Sequence, residues 1–239
     1  MSEFNRTETF VNEAEGLKSY ITGVFVKMGI AVLITALVSF GTLFAVVRTG
    51  LINSGAFSIV LIVAMIAQFG VCIGLSSKIT TMQTGTATAL FYGYAALTGL
   101  TFSVLGLNFS IYEMFMAFAF ASVMFFSCAV IGHTTNVDLS KFSGILIGGL
   151  VALILATVVS MFVPAFRNGL LISYIGVILF LFITAWDMQK IKGYYYGTQG
   201  GYGQMGANLA IYGAFQLYLD FINIFLYVLR IMGSRSSRK

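Results

Sequence analysis

The chain has 239 residues, 59% of them hydrophobic and only 9% charged. Soluble domains carry about a quarter of their residues as charges, so this composition excludes a soluble globular protein and leaves an integral membrane protein. The net charge of +5 then points to anionic lipid head groups and not to nucleic acid.

A single Pro in the whole chain favours helices, and the residue alternation of an outer-membrane barrel is absent. Residues 1–22 are polar, with Glu3, Arg6, Glu8, Glu13, Glu15 and Lys18. They lack the basic-then-apolar start and the small-residue cleavage site of a signal peptide. This stretch is expected to be a cytoplasmic tail.

Apolar runs of spanning length, about 20 residues, follow at 24–47, 51–75, 86–107, 110–132, 142–163, 168–186 and 207–232. The sequence therefore predicts an all-α integral membrane protein, a seven-transmembrane-helix bundle over residues 23–233, closed by a basic tail at 234–239. Pro164 to Arg167 separates the fifth span from the sixth. Lys190 to Gly206, rich in Gly and Tyr, reads as the longest and most mobile connection. With the N-terminus inside, Arg230, Arg235, Arg238 and Lys239 fall on the outer side, against the positive-inside rule. A re-entrant last segment would remove that conflict. Its length supports a full crossing, so seven spans are retained.

Cys72 and Cys128 both lie in apolar runs and read as small buried residues. Gly70-x-x-x-Gly74 and Gly144-x-x-x-Gly148 have the spacing that lets helices approach closely, and helix packing is their expected use. His133, the only His, reads as a loop residue without metal-ligand neighbours. Gly201-Tyr-Gly-Gln-Met-Gly206 fits GxGxxG, but no strand precedes it, so it reads as a loop and not as a nucleotide cradle.

Chemistry concentrates in the last two spans. Gln216, Asp220 and Asn223 stand at i−4, i and i+3, on one helical face. A polar stripe on a membrane-length helix avoids lipid, so this helix is expected to be the central one, with the stripe facing protein or a wet cavity. Asp187 ends the sixth span. Alone it also fits a solvated helix end paired with Lys190 at i+3. Two carboxylates on neighbouring helices can share a proton, because two like charges in a poorly solvated site do not both ionise. Lys78, at the end of the second span, is the basic residue best placed to answer them, and it equally fits a membrane-surface anchor.

Leu217-Tyr-Leu-Asp220-Phe-Ile-Asn223-Ile-Phe-Leu226, with Trp186-Asp187-Met-Gln-Lys190-Ile-Lys192, resembles the Bax inhibitor-1 family, also called the transmembrane Bax inhibitor motif family, and above all its bacterial members. Tyr94-Ala-Ala-Leu-Thr-Gly-Leu-Thr101 and Asp138-Leu-Ser-Lys-Phe-Ser-Gly144 agree, and the resemblance covers everything beyond the N-terminal tail. It implies six helices around a central seventh and a pH-sensitive calcium leak. It makes Asp187 and Asp220 the pH-sensing pair, latched by an Arg from the second-helix region. This chain departs there: no Arg lies between Leu51 and Leu90, and Lys78 offers one compact charge in place of a bidentate fork.

Three functions follow as expectations. The first is a calcium leak gated by Asp187 and Asp220, with Gln216, Asn223, Lys78 and Lys190 in support. Calcium and protons would be its ionic partners, Ca²⁺ held weakly and transiently by the two carboxylates, as conduction requires. No resident cofactor is expected. The second is a non-transporting regulator that binds other membrane proteins, such as a protease or a regulator of cell death and stress. The third, an intramembrane aspartyl protease, ranks last: the contexts Trp186-Asp187 and Leu219-Asp220 differ from the Tyr-Asp and Gly-x-Gly-Asp of that class, and no enzyme activity is expected. The expected location is the bacterial cytoplasmic membrane, or the endoplasmic reticulum in a eukaryote.

Overall fold

The computed structural model describes residues 3–51, 55–162 and 170–236, with side chains over 13–51, 55–160 and 170–234. The first helix, α1, spans Glu3–Thr49, 47 residues. Nothing in the polar start stops it: residues 1–22 hold no Pro and one Gly, and Glu, Lys, Leu and Ala propagate helices well. The division expected at residue 22 therefore falls inside a continuous helix.

After a turn at Gly50, where φ is 69°, come α2 (Gly55–Lys78), α3 (Thr84–Phe102), the short α4 (Leu105–Asn108) and α5 (Ile111–Thr134). A 3-10 turn over Leu139–Phe142 leads into α6 (Ser143–Phe162), then α7 (Leu170–Gly197) and α8 (Gly203–Ser236). No strand occurs among the described residues. Among the described residues, seven helices are long and apolar enough to cross a membrane, α3 and α4 together making one span. The connection at Pro164 to Arg167 and residues 237–239 of the basic tail lie outside the described residues.

Helix α8 is an unbroken 34-residue helix, without the break at which a re-entrant segment would fold back. Its most apolar stretch is 56% buried, against 6–44% for the other six, so it is the most buried of these helices.

Two boundaries differ from the reading of the sequence. Helix α7 continues to Gly197, so the α7–α8 connection is only residues 198–202. Lys190 to Tyr196 contains no breaker but Gly193, and the helix simply runs on. The chain reverses where residues accept positive φ: Gln199 at 50°, Gly200 at 98°, Gly201 at 78° and Gly203 at 73°. Gly206, expected in a loop, is buried inside α8. His133 likewise belongs to the last turn of α5.

The residues cluster into two units, Met1–Asn108 with Ile191–Phe215, and Phe109–Lys190 with Gln216–Lys239. In the first, α3 packs on α1 and α2. The Thr35 hydroxyl donates to the Ala95 carbonyl at 3.0 Å, and the Gln68 amide donates to Thr98 Oγ1 at 2.8 Å. Such bonds hold helices together in a solvent where apolar contact alone gives no preference over lipid. Tyr195 donates to the Glu13 carbonyl at 3.3 Å, and its ring meets Tyr20 at 5.5 Å, so α1 is anchored before its apolar run begins. Fully buried Asn208 of α8 donates to the carbonyls of Ile79 and Met82, each at 2.8 Å, and fixes the α2–α3 connection. Gln204 donates to the Met82 carbonyl as well, at 2.8 Å.

In the second unit, α5 opens with a capping box. Glu113 N–H donates to Ser110 Oγ at 3.2 Å and the Glu113 carboxylate accepts from Ser110 N–H at 2.9 Å, satisfying amides that the helix start leaves without partners. Phe221 of α8 lies between Phe118 and Phe125, edge-on to both at 5.4 and 5.6 Å. Gly176 faces the Tyr227 ring so closely that a Cβ would lie 2.6 Å from it.

The two expected small-residue pairs do not do this. A Cβ at Gly70, Gly74, Gly144 or Gly148 would meet nothing within 4 Å. Their spacing is right for close approach, but those faces carry no neighbour among the described residues. Cys72 and Cys128 are half-buried free thiols.

Candidate functional site

Helix α7 brings its chemistry to one stretch, Thr184 to Lys190. The contact that sets its height is Gly132 of α5, which lies against the Ala185 backbone. A Cβ at Gly132 would stand 2.7 Å from the Ala185 Cα and 2.8 Å from its carbonyl carbon, with the carbonyl oxygen closer still. Only a residue without a side chain lets the two helices meet there. Gln189 fixes the other side of the stretch. Its Oε1 accepts from Leu139 N–H at 3.0 Å and its Nε2 donates to the Val137 carbonyl at 2.7 Å. Both bonds hold the α5–α6 connection to α7.

Between these anchors Asp187 is buried, 3% exposed. It sits well inside α7, ten residues before its end, and not at a span exit as its sequence context suggested. Asp220 of α8 is buried to the same degree. The two carboxyl groups lie within reach of each other's charge. Lys190 Nζ is 2.5 Å from Asp187 Oδ1, a close ion pair. The same ammonium stands 3.9 Å above the Trp186 ring centroid, a cation–π distance, and its charge also reaches Asp220.

The Thr184 hydroxyl reaches the Asp220 carboxyl while donating to the Phe180 carbonyl at 2.7 Å. Asp220 Oδ2, by contrast, has no hydrogen-bond partner. A buried carboxyl oxygen left without a partner is costly and calls for a proton, a cation or water. With both carboxyls ionised, the trio Asp187, Asp220 and Lys190 carries one net negative charge.

The remaining expected residues are arranged around α8 and elsewhere. Gln216 and Asn223 are half-buried on α8, and the Asn223 amide is engaged with the Leu219 carbonyl at 2.8 Å. Lys78 is exposed in the last turn of α2. Among the described residues, no group of three or more His, Cys, Asp and Glu could hold a metal ion.

Thr184, Trp186, Gln189 and Gly132 are contributors that the sequence reading passes over. The i, i+4 spacing of Trp186 and Lys190 was the available signal for one of them. The others act on partners distant in the chain.

A buried carboxylate pair on two of seven membrane-length helices defines the class: a multi-pass helical membrane protein with an ionisable centre. Residues 17–237 match the family described as Inhibitor of apoptosis-promoting Bax1. Inner membrane protein YbhL of Escherichia coli K12 is 35% identical over 236 residues, covering 98% of this chain and all of that protein. Uncharacterized protein RP147 of Rickettsia prowazekii is 34% identical over 92% of each chain. Uncharacterized protein YrjE of Lactococcus lactis is 35% identical over 94% of each. The chain belongs to the Bax inhibitor-1 family.

Proposed function

We propose that this protein is a cation leak of the bacterial cytoplasmic membrane, conducting mainly calcium and controlled by protonation of the Asp187–Asp220 pair. The observation that carries the reading is the burial of two carboxyl groups within each other's field, one oxygen of Asp220 lacking a partner. The placement in that membrane follows the description of YbhL as an inner membrane protein.

Intramembrane carboxylates are costly and mark ion and proton paths. Repulsion between two of them is relieved in two ways, by a proton on the pair or by a cation beside it. Protons and calcium therefore compete for one place, and a change in pH changes which of them holds it. A cation bound by two carboxylates and neutral oxygens from Thr184 and the backbone is bound loosely enough to leave, as conduction requires. This function needs no covalent chemistry.

The test is calcium flux into liposomes against pH for the wild type, Asp187→Asn and Asp220→Asn. The wild type should show a steep pH dependence that both variants lose. Unchanged pH profiles in both variants would remove the pair from the gate.

A further inference from the structure

We propose that Lys190 is a tethered cation at the Asp187–Asp220 pair, parked on the face of Trp186, which a divalent ion must displace to bind there. This rests on the reading of the pair as the cation path. Three observations place the ammonium: 2.5 Å from Asp187 Oδ1, 3.9 Å over the Trp186 ring, and close enough to Asp220 for its charge to be felt. All three partners lie in one unit of the chain.

The tether is short. Lys190 follows Asp187 by three residues and Trp186 by four, so one helical face carries all three. An ammonium on a flexible stem is a compact charge that makes single, exchangeable contacts. It also has somewhere to go. The Lys190 side chain is 27% exposed while that of Asp187 is 5% exposed, so the ammonium can turn outward while the carboxylate stays buried.

Charge balance gives the consequence. With Lys190 in place, the ionised trio is one charge negative, which a monovalent cation neutralises. A divalent cation overshoots to one positive charge unless the ammonium leaves. Without Lys190, the pair is two charges negative and balances a divalent ion directly. Lys190 thus sets the valence preference of the site and lowers its affinity for calcium. It is a specificity residue beside the pair and not one of the calcium ligands.

The chain contains a single Trp, so Trp186 emission reports on the ammonium above it. Calcium is titrated into the purified full-length protein in lipid nanodiscs, with equilibrium calcium binding measured in parallel. In the wild type, Trp186 emission should change saturably as calcium binds. Lys190→Gln should bind calcium about ten-fold or more tightly, the scale of one charge-assisted contact, and its emission should stay flat. Lys190→Arg should keep the wild-type affinity. In liposomes Lys190→Gln should raise calcium flux relative to sodium flux.

Equal calcium affinity in wild type and Lys190→Gln would overturn the proposal while leaving the carboxylate pair as a calcium site. So would calcium binding to the wild type without any change in emission, and that titration decides alone if Lys190→Gln does not fold. Calcium binding by Lys190→Gln and not by the wild type supports the proposal. Calcium binding by none of the proteins would overturn the calcium reading of the pair, and the tethered-cation proposal with it.

Discussion

Gly132 of α5 lies directly on the backbone of Ala185 in α7, two residues before Asp187. The position of a buried carboxylate is therefore set by a residue with no side chain on a different helix. Backbone cannot yield as a flexible side chain does, so the contact is intolerant of even a methyl group.

Gly132→Val should force α5 away from α7, at a cost of about 1–3 kcal/mol for overpacking. The thermal unfolding midpoint in detergent should fall by several degrees, and calcium flux per folded protein should fall with it. Gly144→Ala and Gly148→Ala meet open space. They should leave the midpoint unchanged or raise it, because Ala favours a helix over Gly by about 1 kcal/mol. Equal losses at 132 and 144 would show that the α5–α7 contact does not limit stability.

Asn208→Ala should loosen the α2–α3 connection. Ile79 loses its donor outright, while the Met82 carbonyl keeps Gln204. One buried carbonyl left without a partner costs about 1–3 kcal/mol. Asn208→Asp should be worse than Ala, since it turns a carboxylate toward two carbonyl oxygens. Hydrogen exchange over residues 79–82 together with the unfolding midpoint checks both the order and the place of the effect.

Asp138 should make the α5–α6 connection acid-sensitive. Ser140 donates to its Oδ1 from the backbone N–H at 3.0 Å and from the hydroxyl. These bonds hold the carboxyl below the usual carboxylate range. A carboxyl depressed on folding contributes stability above its unfolded value, near ~3.9. That contribution is lost as pH falls through the folded value. The difference in unfolding midpoint between wild type and Asp138→Ala should therefore be full at pH 6 and close as pH drops below about 4. A gap that stays constant down to pH 3 would mean that the Asp138–Ser140 bonds are not held by charge.

Seven spans and the polar face of α8 were legible because membrane solvation acts on local sequence. A run of about 20 apolar residues announces itself, and a carboxylate inside one does too. Asp187 appeared to sit at a span end only because Lys190 and the tyrosines after it dilute the hydropathy while leaving the helix intact. The glycine pairs misled for a different reason. Spacing shows that two glycines share a face, but not that a neighbour stands there. Gly132 does the close packing, and its partner is 53 residues away. Asn208 and Gln189 were illegible on the same ground, since their acceptors lie 129 and 52 residues off in the chain.

Both anchored connections are held by carboxamides, Asn208 and Gln204 on one and Gln189 on the other. A carboxamide has no net charge for dissolved ions to screen, whereas a Debye length of about 10 Å at 0.1 M salt weakens contacts between charges that touch water. Sodium chloride is then a selective reagent for this molecule. Raising its concentration leaves the two carboxamide anchors as they are and acts first on the Lys190–Asp187 contact, whose lysine side chain is 27% exposed. A salt titration of Trp186 emission reads that contact separately from the rest of the fold.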